Sequence, residues 1–256
     1  RLDKRYKFDN KHFDPEMLEK DIDYYSPKLK VLLDKIQQLD KKDKAKYGKK
    51  FKHFIFSDIK TAAYGPKMIS SALISKGWTL AYDAELKKNS SYGPMELLSN
   101  EELLKSKGHN FFLLSSVSVY DKPISVKTKK AILAKFNDRP DNVYGDLARI
   151  IVMDSGFKEG IDLFDIKYVH IFEPSVNTAD QKQVIGRGTR TCGQKGLDFH
   201  PTKGWPLHVF VYDLTIPESL TSTFKDTNTA FELYLKAMNF NINLLNLAAE
   251  VEKVSM

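Results

Sequence analysis

Five short apolar segments recur along the chain, and a helix-like segment separates each from the next. They are residues 53–57 (HFIFS), 110–116 (NFFLLSS), 147–155 (LARIIVMDS), 166–172 (IKYVHIF) and 208–214 (HVFVYDL). Nearly continuous apolar runs of this length are typical of strands buried on both faces. Because parallel strands need a crossover between them, the alternation predicts an α/β fold, with helices on both faces of a parallel sheet.

Helical periodicity fills the intervals. In residues 25–39, Ser26 is the expected N-cap and Pro27 the first helical residue. Further helices are predicted over 66–76, over 126–136 and after 177, a short strand over 79–82, and a long C-terminal helix over 227–254. The lysine-rich residues 41–52 are predicted as a solvated loop, with a nucleic-acid contact as the alternative. We therefore expect an extension or linker (1–24), a main domain (25–217) and a helical extension (218–256).

The charge balance narrows the class of partner. A formal charge of +7 favours a polyanion such as nucleic acid, although a basic enzyme without one would show the same balance. A lone Cys192 excludes an internal disulfide, and scattered His residues argue against structural zinc. No apolar run reaches the roughly 20 residues of a membrane helix. The start, RLDKRYKFDN, lacks an initiator Met and a signal peptide, so we expect an intracellular protein and a cut within a longer polypeptide.

An arginine pair stands out in QVIGRGTR, residues 183–190. Arg187 and Arg190, three apart on one helical turn, could grip a polyphosphate together, and Gly186 and Gly188 would let a ligand approach the backbone. An equally weighted alternative pairs the arginines with acidic neighbours as scaffolding; the candidates are Asp162, Asp180 and Glu173. Since ligands of parallel sheets bind beyond the carboxyl ends of strands, we expect this segment and residues 154–162 at one edge.

Three motifs in order resemble the second RecA-like domain of superfamily 2 helicases. Gln183-x-x-Gly186-Arg187-x-x-Arg190 resembles the sixth motif, residues 155–163 (SGFKEGIDL) the fifth, and HFIFSD with the helix before Lys76-Gly77-Trp78 the fourth. The match in order covers residues 28–214. The sequences of three segments, EGIDL, VHIFEPSVN and QVIGRGTRTCGQKGL, are most similar to one branch of this family, which is found in large cytoplasmic DNA viruses. That branch includes African swine fever virus helicases and the ATPase subunit of the poxvirus early transcription factor.

The resemblance implies roles for individual residues. Arg190 would be the arginine finger on the transferring γ-phosphoryl group, with Arg187 beside it, and Gln183 would contact the γ-phosphate or hold Arg187. The implied nucleotide-binding residues are Gly160, Asp162 and Gly186. The implied nucleic-acid contacts are Ser57, Ser115, Ser116 and Ser155, for which strand-end capping is the alternative.

The resemblance also implies what lies elsewhere. The chain has no glycine-rich phosphate loop and no Asp-Glu dipeptide, so ATP and Mg²⁺ would be bound mainly by a first RecA-like domain, and this chain alone would be inactive. The other implied partners are DNA or RNA and viral transcription machinery, in a cytoplasmic viral factory or virion. A non-hydrolysing module that binds nucleic acid or a protein is the alternative, and an ordinary phosphate-handling enzyme is a weaker third reading.

The isolated candidates have simpler interpretations. We expect Cys192 to be a small packed residue, and Trp78 and Trp205 to be core residues at strand ends. Asp154 could cap a turn as readily as contact a ligand.

Overall fold

The protein is described by a computed structural model over residues 2–60, 63–157, 161–173, 183–186, 193–205, 207–224, 226–237, 239–241 and 243–244. The strands in these ranges are β1 Lys52–Ser57, β2 Thr79–Leu80, β3 Tyr82–Asp83, β4 Glu96–Leu97, β5 Asn110–Leu114, β6 Ile150–Asp154, β7 Ile166–Ile171 and β8 His208–Val211. The bounded helices are α1 Pro15–Tyr25, α2 Pro27–Tyr47, α3 Pro66–Ser75, α4 Asn100–Lys105, α5 Val126–Phe136 and α6 Ala230–Ala237.

Six strands form one sheet in the order β2-β5-β6-β1-β7-β8. Every neighbouring pair is parallel, and β1 lies in the middle between β6 and β7. The predicted parallel sheet is confirmed. The strand predicted over 79–82 is divided, because β2 joins this sheet whereas β3 pairs with β4 in a separate antiparallel ribbon.

Two neighbouring side chains of β1 show that helices cover both faces. The Lys52 ammonium donates a hydrogen bond of 2.7 Å to the carbonyl of Phe136, at the end of α5. His53 Nε2 instead lies 3.4 Å from a carboxylate oxygen of Asp40, in α2. Successive side chains of a strand point to opposite faces, so α2 and α5 cover opposite faces of the sheet. Helix α3 contacts α2, and α1 packs on both.

Helix α2 extends well beyond its predicted end. The predicted N-cap Ser26 is confirmed, but the helix continues to Tyr47 and stops at Gly48, whose φ of 68° suits glycine. The prediction of a loop from residue 41 is therefore wrong for residues 41–47. The reason is a buried partner: Asp43 accepts hydrogen bonds from the Lys167 ammonium at 2.6 Å and the Tyr168 hydroxyl at 2.7 Å.

The C-terminal helical pattern is interrupted. Helix α6 ends at Ala237, and Asn239 has a φ of 61°. The amide of Phe240 donates to the carbonyl of Leu235, the bond that closes a left-handed helix terminus. The prediction of one helix over 227–254 is therefore wrong at residues 239–241; residues 245–256 lie outside the described ranges. Within the described residues, no helix is long and apolar enough to cross a membrane.

Phe8 and Ile22, before residue 25, belong to the same core cluster as the sheet. The boundary at residue 25 stays a prediction.

Asn142 organises the approach to β6. Its side-chain amide donates to the carbonyls of Phe136 and Ala148 at 2.8 and 3.0 Å, and its carbonyl oxygen accepts from the amides of Leu147 and Ala148 at 2.9 and 3.0 Å. The side chain is fully buried, so water cannot replace these partners.

Replacing Asn142 with Ala should lower the free energy of unfolding by about 3 to 5 kcal/mol, because four buried backbone groups each lose a hydrogen bond, although the Phe136 carbonyl keeps its bond to Lys52. Urea denaturation measures this change. Asn89→Ala, at an exposed loop position, is the control and should cost about 0.5 kcal/mol or less. Similar losses in the two variants would contradict the role given to Asn142.

A buried array of hydrogen bonds crosses the α2 face of the sheet. One bond of 2.9 Å joins His53 Nδ1 to His170 Nε2, and another of 2.8 Å joins His170 Nδ1 to the Tyr212 hydroxyl. Burial lowers the pKa of both histidines. The two histidines therefore bind protons near pH 6.5 in the unfolded chain but remain neutral at this pH in the folded chain.

Stability should thus be fully present above pH 6.5 and should fall as the pH drops below it, by up to about 1.4 kcal/mol per pH unit for each histidine. Urea denaturation at pH 7.5, 6.0 and 5.0 measures the slope. Combining His170→Leu with Tyr212→Phe should reduce the slope without abolishing it, because burial also lowers the pKa of His53, His109 and His208. A slope unchanged in the double variant would refute the contribution of His170.

Candidate functional site

All six strands of the main sheet end at the same edge, because they are parallel. At this carboxyl edge the chain leaves β1 at Ser57, β5 at Leu114 and β6 at Asp154. The structure therefore brings together the four predicted serines, since Ser115 and Ser116 follow β5 and Ser155 follows β6.

Asp154 connects the ends of β5 and β6. One carboxylate oxygen accepts hydrogen bonds from the hydroxyls of Ser115 and Ser116, at 3.2 and 2.9 Å, and from the Ser116 amide at 2.7 Å. The other oxygen accepts from the Gly156 amide at 2.8 Å. Of the two roles open to Asp154 from the sequence, the structure shows turn capping.

Gly156 is required by the closeness of these turns. A Cβ at this position would lie 2.3 Å from the Cβ of Ser116 and 2.9 Å from a carboxylate oxygen of Asp154. Any side chain would push the two strand exits apart. The Ser-Gly step after a buried strand carried this signal in the sequence, although Gly156 was not among the predicted site residues.

Burial divides the predicted serines. Ser57, Ser115 and Ser155 are buried, whereas Ser116 is exposed. The Ser57 hydroxyl accepts the Ile59 amide at 3.3 Å, and Gly65, with a φ of 63°, packs against the same turn. Turn contacts of the kind expected from the alternative, strand-end capping, are present at Ser57, Ser115 and Ser116. Ser116 is the predicted serine whose side chain meets solvent.

Glu173 closes this edge after β7. Its carboxylate lies 3.9 Å from the Lys28 ammonium, at the start of α2, and Lys28 also lies 4.6 Å above the ring of Phe172. Burial raises the pKa of Glu173, while a Ser57 hydrogen bond and Lys28 oppose that rise. Burial lowers the pKa of Lys28. The start of α2 is thereby joined to the candidate site.

Asp162 does not join the serines. Phe157 lies under the Lys129 ammonium, near the start of α5, whereas the Asp162 carbonyl accepts 2.8 Å from Asn137, the C-cap of α5. Asn137 lies about 12 Å along α5 from Lys129, taking 1.5 Å per helical residue, so Phe157 and Asp162 lie near opposite ends of α5. The expectation that the whole segment 154–162 lies at the carboxyl edge is wrong at Asp162, because α5 leads back toward the opposite edge.

Local packing nevertheless directs the Asp162 side chain outward. Its neighbours Ile161 and Leu163 are fully buried, and Asp162 is exposed between them. Asn137 fixes this stretch from both sides, because its side-chain oxygen also accepts the Phe164 amide at 2.8 Å. No sequence pattern singles out Asn137 as a positioning residue.

The described part of QVIGRGTR is residues 183–186, which are helical. Val184 is buried in the main core, Gln183 is exposed, and a Cβ at Gly186 would meet no atom within 4 Å. The helix thus directs the Gln183 side chain to the surface and leaves room for another group beside the Cα of Gly186. The predicted Gly160, Arg187 and Arg190 lie outside the described residues, as does Cys192.

The tryptophans pack as expected. Trp78 lies against the main core, and the Trp205 indole donates 3.0 Å to the Leu197 carbonyl within a second cluster.

Residues 93–192 match the sequence profile of the helicase conserved C-terminal domain. Over 203 residues the chain is 30% identical to protein R350 of Acanthamoeba polyphaga mimivirus, whose name proposes an ATP-dependent RNA helicase; the match covers 72% of this chain and 23% of that protein. Over 96 residues it is 34% identical to the uncharacterized killer plasmid pGKL-2 helicase of Kluyveromyces lactis, covering 38% of this chain and 16% of that protein.

Among solved structures, the C-terminal part of the Fun30 ATPase domain aligns with 73% of this chain and 41% of its own, at 14% identity and a TM-score of 0.44. The chain spans less than a quarter of the length of the two curated relatives. Over residues 93–192 it is similar to the helicase conserved C-terminal domain, and it is also similar to proteins named as helicases from a giant virus and a yeast killer plasmid.

Proposed function

We propose that this chain is the second motor domain of an ATP-dependent nucleic-acid helicase or translocase of superfamily 2. The observation that carries the proposal is the order of three motifs on one parallel sheet, within a chain that matches the helicase C-terminal domain. The fourth motif ends β1, the fifth leaves β6, and the described start of the sixth is a helix after β7. ATP would draw the two motor domains together, and hydrolysis would release them.

Arg190 acts in this proposal as the arginine finger, with Arg187 beside it and Gln183 close to the γ-phosphate. Two features support an approach by phosphate here: Gln183 is exposed, and the space before Gly186 is open. An arginine finger stabilises charge that develops on the transferring phosphoryl group, and it acts on a nucleotide held by another domain. Gly160 and Asp162 would complete this side of the cleft.

Magnesium and most of the nucleotide contacts belong in this proposal to the first motor domain. Within the described residues, no three His, Cys, Asp or Glu side chains are grouped to hold a metal ion. The residues of this chain contribute positive charge and an open helix surface, and these fit a nucleotide that is bound from the other side.

Nucleic acid would lie along the carboxyl edge. Ser116 presents its hydroxyl there, while Ser57, Ser115 and Ser155 shape the turns from beneath. Contacts of this kind position the phosphate backbone and read no sequence. A viral role in transcription or genome processing is part of this proposal, and the occurrence of a similar helicase-named protein in a giant virus supports its viral side.

Arg190→Ala, in the longer protein with both motor domains, should reduce nucleic-acid-stimulated ATP hydrolysis by about 10³- to 10⁵-fold, the range known for arginine fingers. A phosphate-release assay measures the rate, and thermal unfolding checks that the fold is retained. Lys195→Ala removes an exposed cation five residues later and should leave turnover within about twofold of the unsubstituted protein.

Near-normal turnover in Arg190→Ala would refute the finger assignment. The chain by itself should not hydrolyse ATP. Robust hydrolysis by a clean preparation would refute the proposal that the first motor domain supplies most of the nucleotide contacts.

Binding of a single-stranded oligonucleotide should weaken steeply with salt, with a slope of about −0.7 in log K against log salt for each phosphate neutralised. Ser116→Asp should weaken binding further, because it adds negative charge beside the strand. Ser222→Asp, at an exposed position of a short helix outside this edge, is the control. Salt-independent binding, together with absent hydrolysis in the longer protein, would favour a protein-docking module instead.

A further inference from the structure

A second cleft, of about 620 Å³, lies at the opposite edge of the sheet. Helix α2 forms one wall. The other wall includes Lys50, Trp78 and His109. Trp78 directly precedes β2, His109 directly precedes β5, and Lys50 lies two residues before β1. Residues that precede parallel strands lie at the amino edge, so this cleft is separate from the carboxyl edge where Ser57, Ser116 and Ser155 lie.

The acidic side chains of the cleft already have cationic partners. Glu19 lies 2.9 Å from the Lys76 ammonium, and Asp34 lies 2.9 Å from the Lys30 ammonium. Asp40, at the floor, is paired with the buried Arg149. Each of these carboxylates already has a cationic partner, although Asp40 also acts on Lys50 and His109, whose pKa it raises.

Three further lysines line the cleft: Lys41, Lys44 and Lys50. Within the described residues, none of their ammonium groups forms an ion pair or a hydrogen bond. Burial lowers the pKa of Lys50, and the positive charge of Arg149 lowers it further. Burial also lowers the pKa of His109, with Lys50 and Arg149 acting in the same direction. The cationic groups of this cleft therefore repel one another, and an anion between them would relieve that repulsion.

Arg149 places a further positive charge beneath the cleft. Its guanidinium carbon lies 4.5 Å from the Trp78 ring centroid, and it bonds to Asp40, so two cleft-lining residues hold it in position. The side chain is fully buried and is not part of the cleft lining. Its charge therefore acts on the cleft from a short distance, without direct contact to a ligand.

We propose that this amino-edge cleft binds a phosphate-bearing anion, held by Lys41, Lys44 and Lys50 and bordered by Trp78 and His109. We favour a phosphate group because it carries up to two negative charges and several hydrogen-bond acceptors. The unpaired groups of the cleft, among the described residues, are lysine ammonium groups, which can only donate hydrogen bonds. The cleft is large enough for a pyrophosphate or a short stretch of sugar–phosphate backbone. The proposal does not depend on the motor function assigned to the other edge.

The test compares two doubly substituted chains. Lys41→Gln with Lys44→Gln removes two charges from the cleft side of α2. Lys42→Gln with Lys46→Gln removes two charges from the same helix at positions that do not line the cleft. All four lysines are exposed, so both variants should fold, and circular dichroism and thermal unfolding check this.

Calorimetric titration with pyrophosphate, and separately with a single-stranded oligonucleotide, measures binding. The cleft variant should bind at least one probe about tenfold more weakly, because each lost charge is worth about 0.7 kcal/mol here and 1.4 kcal/mol is a factor of ten. The other variant should stay within about twofold. A loss with pyrophosphate identifies a free phosphate-bearing ligand, whereas a loss with the oligonucleotide alone identifies a nucleic-acid backbone.

A second readout follows His109 by NMR titration. Bound pyrophosphate should raise the pKa of His109 in the unsubstituted chain and not in the Lys41/Lys44 variant. The proposal is overturned if neither probe binds, or if the two variants lose affinity equally.

Discussion

Two buried ion pairs fix helix α2 against the sheet, and both functional edges depend on its position. Asp40 pairs with Arg149 before β6, and Asp43 pairs with Lys167 in β7. A buried charge that loses its partner is costly, so sliding α2 by one turn would break both pairs. Fixing α2 in this way also sets where Lys28 meets Glu173 at the far end of the helix.

The turns after β5 and β6 are held together by their own hydrogen bonds before any ligand arrives. Asp154 collects four hydrogen bonds from the turns after β5 and β6, and Gly156 permits their close approach. The shape of the edge is therefore set in the free protein, and ordering these turns adds little to the cost of binding. The same contacts limit Ser115 and Ser116, since a hydroxyl that already donates to Asp154 must give up that bond before it can donate to a phosphate.

Local patterns predicted the strands because each is an apolar run whose burial needs no particular partner. They failed where a distant residue decides the outcome. Lys41 and Lys44 suggested a loop, but the buried Asp43 between them pairs with Lys167, which lies 124 residues later. For the same reason, the sequence placed Asp162 with Ser155, since only the packing of α5 separates them. The assignments of Arg187 and Arg190 still rest on their motif.

The central position of β1 sets the order in which this chain can fold during synthesis. Its two partners, β6 and β7, lie about a hundred residues further along the chain. Until residues 150–171 have left the ribosome, the apolar β1 has neither neighbour, and only local helices can form around it. Such long-range pairing is slow and leaves an unpaired strand exposed. A chain that stops short of β7 would carry this buried central strand as an aggregation-prone edge.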